Sequence, residues 1–137
     1  MTKEKSCGAV IFRKQQDKYQ FVLVQQKYGL RFGFPKGHVE HNESEKMTAK
    51  REVFEETGLD VEIYGHIKEQ TKYYPKEGVI KEVVYFLARA KTSQLRAQEE
   101  EIADAQWVDA SEVLSKLSYK SDRKMFLSLS RKAKINI

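Results

Sequence analysis

The chain has 137 residues, of which 40% are hydrophobic and 33% are charged. That balance is typical of a folded, soluble domain and excludes a disordered or fibrous chain. No apolar run is long enough to span a membrane, and the opening sequence lacks the apolar segment and cleavage site of a signal peptide. We therefore expect one domain over residues 1–137, located in the cytoplasm and not attached to a membrane.

The single cysteine and the uneven charge distribution indicate the compartment and the kind of partner. Cys7 is the only cysteine, so no internal disulfide can form, and its apolar neighbours predict a buried thiol in a reducing compartment. The net charge is +5, with acids concentrated in residues 40–56 and 98–104 and bases in residues 116–134. A basic surface suits a polyanionic partner. The alternative is that the surplus lysines and arginines only keep a small protein soluble.

Strand and turn signals come first along the chain. Residues 6–13 and 19–26 are rich in Val, Ile, Phe and Tyr and predict two strands, with the sequence QQDK between them as a hairpin turn. Residues 29–37 contain Gly, Pro and aromatic side chains and predict a loop. Further strands are expected at residues 60–70, 80–91 and 106–108.

Helical signals lie in the middle and at the end of the chain. We expect Asn42 to cap a helix in which Glu45 occupies N3, and Gly58 to end it. The apolar contacts of this helix are expected from Met47, Ala49, Val53 and Phe54. Residues 111–117 and 122–132 predict two amphipathic helices. Strands on both sides of one central helix, with helices at the end, favour an α/β fold with a mixed β-sheet flanked by helices.

Three carboxylates on the central helix indicate a metal site. Glu52, Glu55 and Glu56 stand at i, i+3 and i+4, so their side chains share one helix face. Like charges at this spacing repel one another, which is easier to understand if a divalent cation lies among them. Mg²⁺ is the natural candidate, because it prefers hard oxygen ligands and is completed by water and substrate phosphates.

The segment GHVEHNESEKMTAKREVFEETGL, residues 37–59, matches the Nudix box G-x5-E-x7-R-E-U-x-E-E-x-G-U at every defined position. The chain therefore resembles the Nudix hydrolases. The resemblance implies a Nudix-type α/β/α sandwich, which periodicity alone does not identify. It also implies metal-dependent hydrolysis of nucleoside diphosphate linkages.

The same resemblance assigns roles to the residues of the box. Glu52, Glu55 and Glu56 would hold Mg²⁺, with Mn²⁺ as an alternative, and the glutamate pair Glu55 and Glu56 would be central to catalysis. Gly37 would add its backbone carbonyl to the metal site. Arg51 is always cationic and cannot be a ligand, so we expect it to hold a glutamate by a bidentate contact.

A further acid is expected outside the box, in the loop before a late strand. The sequence offers Glu99, Glu100 and Glu101 ahead of Trp107. Spacing to the tryptophan favours Glu101 as general base or additional metal ligand, with the other two as alternatives. All three are also compatible with an acidic, solvated loop.

The residues before the box indicate a subgroup. The sequence RFGFPKGHVE, residues 31–40, resembles the W-x-F-P-K-G-H-V-E signature of asymmetrical dinucleoside tetraphosphate hydrolases, with Phe32 in place of the tryptophan. This resemblance implies that water attacks diadenosine tetraphosphate off-centre and releases ATP and AMP. A tetraphosphate needs cations beside the metal, and nucleobases stack on aromatic rings. The candidate substrate contacts are Lys36, His38, Lys81, Tyr73, Tyr74 and Tyr119.

Some alternatives stay open at this stage. His38 can also be a neighbour of the metal or an ordinary loop residue. Other Nudix specificities include nucleoside triphosphates, sugar nucleotides or ADP-ribose, and the 5′ ends of RNA. A non-catalytic nucleotide- or RNA-binding module is disfavoured, because no glutamate of the box is lost. The sequence sets neither the number of metal ions nor the oligomeric state.

Overall fold

A computed structural model describes residues 1–136 of the chain. Its strands are β1 (Thr2–Gln15), β2 (Lys18–Gln26), β3 (Phe32–Gly33), β4 (Lys36–His38), β5 (Val61–Lys76), β6 (Val79–Ala90) and β7 (Ile102–Asp109). Its helices are α1 (Glu45–Thr57), α2 (Ala110–Lys116) and α3 (Lys120–Ala133). No helix within residues 1–136 combines the length and the apolar character needed to cross a membrane.

The strands form one mixed sheet, which confirms the prediction from the sequence. Its central order is β3-β2-β1-β6-β5, and β4 also pairs with β1 while β7 pairs with β2. β1 and β6 run parallel, whereas the other pairs are antiparallel. The chain therefore has an α/β fold with a mixed sheet flanked by helices.

Alternating strand residues bury the two faces of this sheet against different helices. On one face, Val10 of β1 packs in a cluster with Phe126 of α3. On the opposite face, the next residue, Ile11, packs in a cluster with Val53 of α1. Cys7 is fully buried on the α1 face, and burial raises the pKa of its thiol to about 11. The thiol is therefore a core group, as the sequence predicts.

The N-cap of helix α1 lies two residues later than the sequence predicts. Ser44 is the N-cap: its backbone is extended, and its Oγ accepts a hydrogen bond of 3.2 Å from the backbone N–H of Met47. Asn42 has a φ of +66°, so its backbone lies in the left-handed region and does not cap the helix. Glu45 is consequently the first helical residue rather than N3. Gly58 ends the helix as predicted, with a φ of +76°.

The apolar face of α1 is also narrower than expected. Ala49 and Val53, one turn apart, are fully buried against the sheet. Met47 and Phe54 remain 56% and 54% exposed, so the contacts predicted for them are wrong. These two residues are seven positions apart and share a different side of the helix, which points to solvent.

Strand β5 extends beyond the predicted residues 60–70, as far as Lys76. It keeps its pairing with β6 through two register shifts, and the pairing places Tyr73 opposite Lys81. The predicted turn between the first two strands is confirmed, with Gln16 and Asp17 at positive φ values of 49° and 67°. Two-residue hairpin loops require this left-handed conformation.

Candidate functional site

A cleft of about 730 Å³ opens on the face of the sheet that carries α3. Most of the site residues expected from the sequence line it. They are Lys36, Gly37, His38, Glu52, Glu56, Tyr73, Lys81, Glu101 and Tyr119. Three expected residues, Arg51, Glu55 and Tyr74, are not among its lining. The structure therefore collects in one cavity expected residues from six different elements or loops.

The sheet itself forms the floor of the cleft. Side chains of directly paired residues point to the same face of a sheet. Ser6 of β1 pairs with His38 of β4 and with Val83 of β6, and Val83 pairs with Thr71 of β5. All four residues line the cleft. They form one row of side chains across the floor, which we call the floor row.

Glu52 and Glu56 form a pair at one wall of the cleft. Glu56 is only 6% exposed, and its carboxyl is hydrogen-bonded to that of Glu52. Burial raises the pKa of Glu56 well above its ordinary value, and the charge of Glu52 raises it further, while Lys36 acts in the opposite direction. The Glu56 carboxyl therefore keeps its proton to a higher pH than usual when no cation lies beside it.

Gly37 makes room for this pair. A Cβ at position 37 would overlap the carboxylate of Glu52, so any larger residue would push that side chain out of place. The glycine of the box is thus required by close approach to Glu52 and not by a left-handed backbone. Its carbonyl belongs to the same short strand as Lys36 and His38.

Arg51 links the carboxylates that lie beside the cleft. Its Nε and Nη2 donate to the two oxygens of Glu43 at 2.6 and 2.9 Å, which is the bidentate contact expected for it. Its Nη1 donates to Glu52 at 2.8 Å and to Glu55 at 3.2 Å. Hydrogen bonding to Arg51 lowers the pKa of Glu43 to about 2. The guanidinium therefore keeps Glu43 ionised and binds Glu52 and Glu55 through one shared nitrogen.

Within residues 1–136, no three His, Cys, Asp or Glu side chains converge into a preformed metal site. The carboxylate of Glu55 accepts a hydrogen bond from Arg51 and does not line the cleft. The residues nevertheless fit a divalent cation, since Glu52 and Glu56 already share a buried position that a proton must neutralise. Carboxylate and carbonyl oxygens are the donors that Mg²⁺ and Mn²⁺ prefer.

Aromatic side chains gather at another part of the cleft. Arg31 donates a hydrogen bond of 2.7 Å to the hydroxyl of Tyr119, and its guanidinium lies 5.2 Å from the centre of that ring. Tyr28, which the sequence did not single out, also lines the cleft and is 80% exposed. Tyr74 is directed elsewhere, because it follows Tyr73 in β5 and successive side chains of a strand point to opposite faces.

The loop before β7 places one of its three glutamates at the cleft. Glu101 lines the cleft, whereas Glu99 and Glu100 do not. The loop is held in place by two backbone hydrogen bonds: the N–H of Lys27 donates to the carbonyl of Glu101 at 2.8 Å, and the N–H of Ile102 donates to that of Gln98 at 2.9 Å. Glu101 is thus the one of the three that lies at the cleft, and its role as general base or metal ligand stays a prediction.

Asp122 is a cleft residue that the sequence did not identify. It lies in the first turn of α3, is 8% exposed, and lines the cleft near Gly33. Burial raises the pKa of its carboxyl to about 6, while Lys36 and Arg123 act in the opposite direction. In the sequence it looks like an ordinary acid at a helix N-terminus, because its burial depends on how α3 packs on the sheet.

Comparison with known proteins shows which family the chain matches. The NUDIX domain model matches residues 2–129. The chain is 35% identical over 97 residues to the asymmetrical bis(5′-nucleosyl)-tetraphosphatase of Sus scrofa, covering 64% of this chain and 65% of that protein. It is 44% identical over 71 residues to the NAD-capped RNA hydrolase NudC of Mannheimia succiniciproducens, covering 52% of this chain and 25% of that protein. The aligned part is thus less than two thirds of both relatives.

The fold is also similar to solved structures over almost its whole length. A binary complex of the C. elegans Ap4A hydrolase superposes with a TM-score of 0.85 at 26% identity, covering 96% of this chain and 98% of that one. The NUDIX domain of Shewanella oneidensis NrtR, solved with ADP ribose, superposes with a TM-score of 0.75. At 17% identity, the second match concerns the fold alone.

Proposed function

The chain belongs to the NUDIX domain family, and on that premise we propose that it hydrolyses diadenosine tetraphosphate asymmetrically to ATP and AMP. Members of this family are pyrophosphohydrolases that act on nucleotides and generally use divalent metals such as Mg²⁺. The observation that carries the proposal is the composition of the cleft. Carboxylates, cations and aromatic rings, the three groups that such a substrate needs, all line this one cavity.

The cations of the cleft suit a phosphate chain that is longer than a diphosphate. Lys36 and His38 lie on β4, and Lys81 lies two residues before Val83 on β6, on the same face of the sheet. Lysine acts as a compact point charge with three donors, which suits several phosphoryl oxygens in succession. Tyr73, opposite Lys81, and Tyr119 supply ring faces for the bases.

The carboxylates support the hydrolytic step. Glu52 and Glu56, joined by Glu55 and the carbonyl of Gly37, would hold a divalent ion, which neutralises phosphoryl charge and lowers the pKa of water when bound. Glu101 accepts the proton of the attacking water as general base. Oxygen of that water forms the new bond to phosphorus while the bond to the departing ATP or AMP breaks. Arg51 orients Glu55 and Glu52 by its hydrogen bonds.

A product analysis tests this assignment directly. Purified protein is incubated with diadenosine tetraphosphate and Mg²⁺, and the nucleotides are separated by chromatography. We expect ATP and AMP in equal amounts and no turnover in excess EDTA. Two molecules of ADP from each substrate would contradict the asymmetrical assignment.

The same assay separates the other specificities of the family. Nucleoside triphosphates, ADP-ribose, sugar nucleotides and RNA with a 5′ triphosphate or NAD cap are offered at equal concentration. A larger kcat/KM for any of them would identify that compound class as the preferred substrate. A protein that binds RNA with steep salt dependence and turns over none of these compounds would instead be a non-catalytic binding module.

A further inference from the structure

Ser6 is a buried residue whose hydroxyl lacks a partner. Its side chain is 1% exposed, and its Oγ makes no hydrogen bond to any group in residues 1–136. Buried polar atoms in native proteins are almost always hydrogen-bonded to protein, water or ligand, since an unmade bond is destabilising. A serine in this position therefore calls for a partner that is supplied from outside the chain.

The position of Ser6 shows where that partner would come from. Ser6 belongs to the floor row, between His38 on β4 and Val83 on β6, and it lines the cleft. The next residue, Cys7, faces the other side of the sheet and packs with α1. The hydroxyl is thus directed to the floor of the cleft and away from the apolar core beneath α1.

The neighbours of Ser6 define the chemistry of the missing partner. Lys36 and His38 lie on the strand next to it, and Lys81 lies on β6 two residues from its partner Val83. A serine hydroxyl donates one hydrogen bond and rotates freely to suit an acceptor. An acceptor that enters a cleft lined by Lys36 and Lys81 is an anionic oxygen, which makes stronger hydrogen bonds than a neutral one.

We propose that Ser6 is a substrate-binding residue that donates a hydrogen bond to a phosphoryl oxygen of the nucleotide's phosphate chain. The inference rests on the proposed function, because it takes a polyphosphate as the ligand of the cleft. Ser6 would add to the lysines a neutral hydrogen-bond donor at the middle of the cleft floor. A point charge attracts the chain from any direction, whereas a hydroxyl on a rigid central strand fixes one oxygen in place.

Ser6→Ala tests the proposal through two measurements: the affinity for the substrate should fall, whereas the thermal stability without nucleotide should not. Kinetics with diadenosine tetraphosphate should show KM raised about ten- to hundredfold, the range for a hydrogen bond to a charged group, with kcat changed less. Thermal unfolding of the same variant without nucleotide should occur at an equal or higher Tm, because an unpartnered hydroxyl is removed from the interior. Ser6→Cys replaces the hydroxyl by a slightly larger thiol, which is a weak donor, so its KM should rise as in Ser6→Ala.

Ser130→Ala is the matched control. Ser130 is also buried, at 3% exposure, but it lies on α3 and does not line the cleft. Its replacement should leave KM unchanged. If Ser6→Ala and Ser6→Cys retain the KM of the wild type, the hydroxyl does not bind the substrate and the proposal is overturned. If Ser6→Ala raises KM but also lowers the Tm measured without nucleotide, the hydroxyl is a packing group, which overturns the proposal as well.

A binding measurement separates this inference from the proposed function. The Kd of ATP in Mg²⁺ is determined by calorimetry for the wild type and for Ser6→Ala, without any turnover of dinucleotide. A Kd raised about tenfold or more supports the role of Ser6 even if diadenosine tetraphosphate is not cleaved. Equal Kd values in a protein that does cleave it would remove Ser6 from the site and leave the proposed function intact.

Discussion

The raised pKa of the buried Glu56 carboxyl predicts that Glu56→Gln stabilises the protein without metal. In the unfolded chain Glu56 loses its proton near its ordinary pKa of 4.5, whereas in the folded chain the proton is retained to higher pH. Folding must therefore keep a proton on this carboxyl that solvent would remove. The wild type should lose stability as the pH rises above 4.5, until the raised pKa is passed.

The size of the effect follows from the pH interval. Each unit of pH above the ordinary pKa of 4.5 destabilises the fold by about 1.4 kcal/mol, which gives about 3 kcal/mol at pH 7 as an upper value. Glutamine does not ionise, and its amide can still donate to Glu52. Glu56→Gln should therefore unfold at a higher urea concentration than the wild type at pH 7 in EDTA, and at a similar concentration near pH 4.5.

Mg²⁺ should reverse the order of stability, so that the wild type becomes more stable than Glu56→Gln. The ion replaces the proton of Glu56 in the wild type and stabilises the fold by mass action, whereas Glu56→Gln has lost an anionic ligand. Turnover should fall by orders of magnitude in the same variant. Glu55→Gln is the control for stability, because Glu55 is 49% exposed and paired with Arg51, so it should lose turnover without any gain in EDTA. A Glu56→Gln protein that is less stable than the wild type at pH 7 in EDTA would refute the raised pKa of Glu56.

Three further substitutions test other parts of the site. Gly37→Ala should displace Glu52, destabilise the fold by about 1–3 kcal/mol and weaken the midpoint of Mg²⁺ activation, as measured by urea unfolding and metal titration. Glu101→Gln should lower kcat about 10²- to 10⁴-fold at an unchanged KM, and a normal kcat would exclude it as general base. Asp122→Asn should raise the unfolding free energy by about 1–2 kcal/mol above pH 6 but not at pH 4. The reason is that the raised pKa of Asp122 destabilises the fold only as the pH rises. An equal gain in unfolding free energy at both pH values would exclude the titration of Asp122 as the cause.

The sequence predicts the fold where the signal is local. The hairpin turn at residues 15–18 and the end of α1 at Gly58 depend on backbone conformations that few residues adopt, so they could be placed correctly. The cap of α1 was misplaced because Asn42 and Ser44 are both good N-caps, and only the loop geometry decides between them. The length of β5 was underestimated because it depends on pairing with β6 rather than on its own residues.

The site was predictable where a motif fixes it. Glu52, Glu56 and Gly37 are close together because the box places them on one helix and one adjoining strand. The partner of Arg51 could not be chosen among several glutamates, since the contact with Glu43 depends on the course of the loop before α1. Ser6 and Asp122 gave no signal, because their burial arises from strands and a helix that are distant in sequence.

The parallel pairing of β1 with β6 has a consequence for biosynthesis. Thr2 is matched to Val79 and Phe12 to Arg89, so β1 must wait until residues 79–89 are synthesised before its parallel neighbour β6 can pair with it. Until then, only β2 and β4 can pair with β1, both antiparallel, and the edge that β6 will cover stays open to other chains. A nascent polypeptide stalled before residue 79 would expose this edge, which is a site for aggregation.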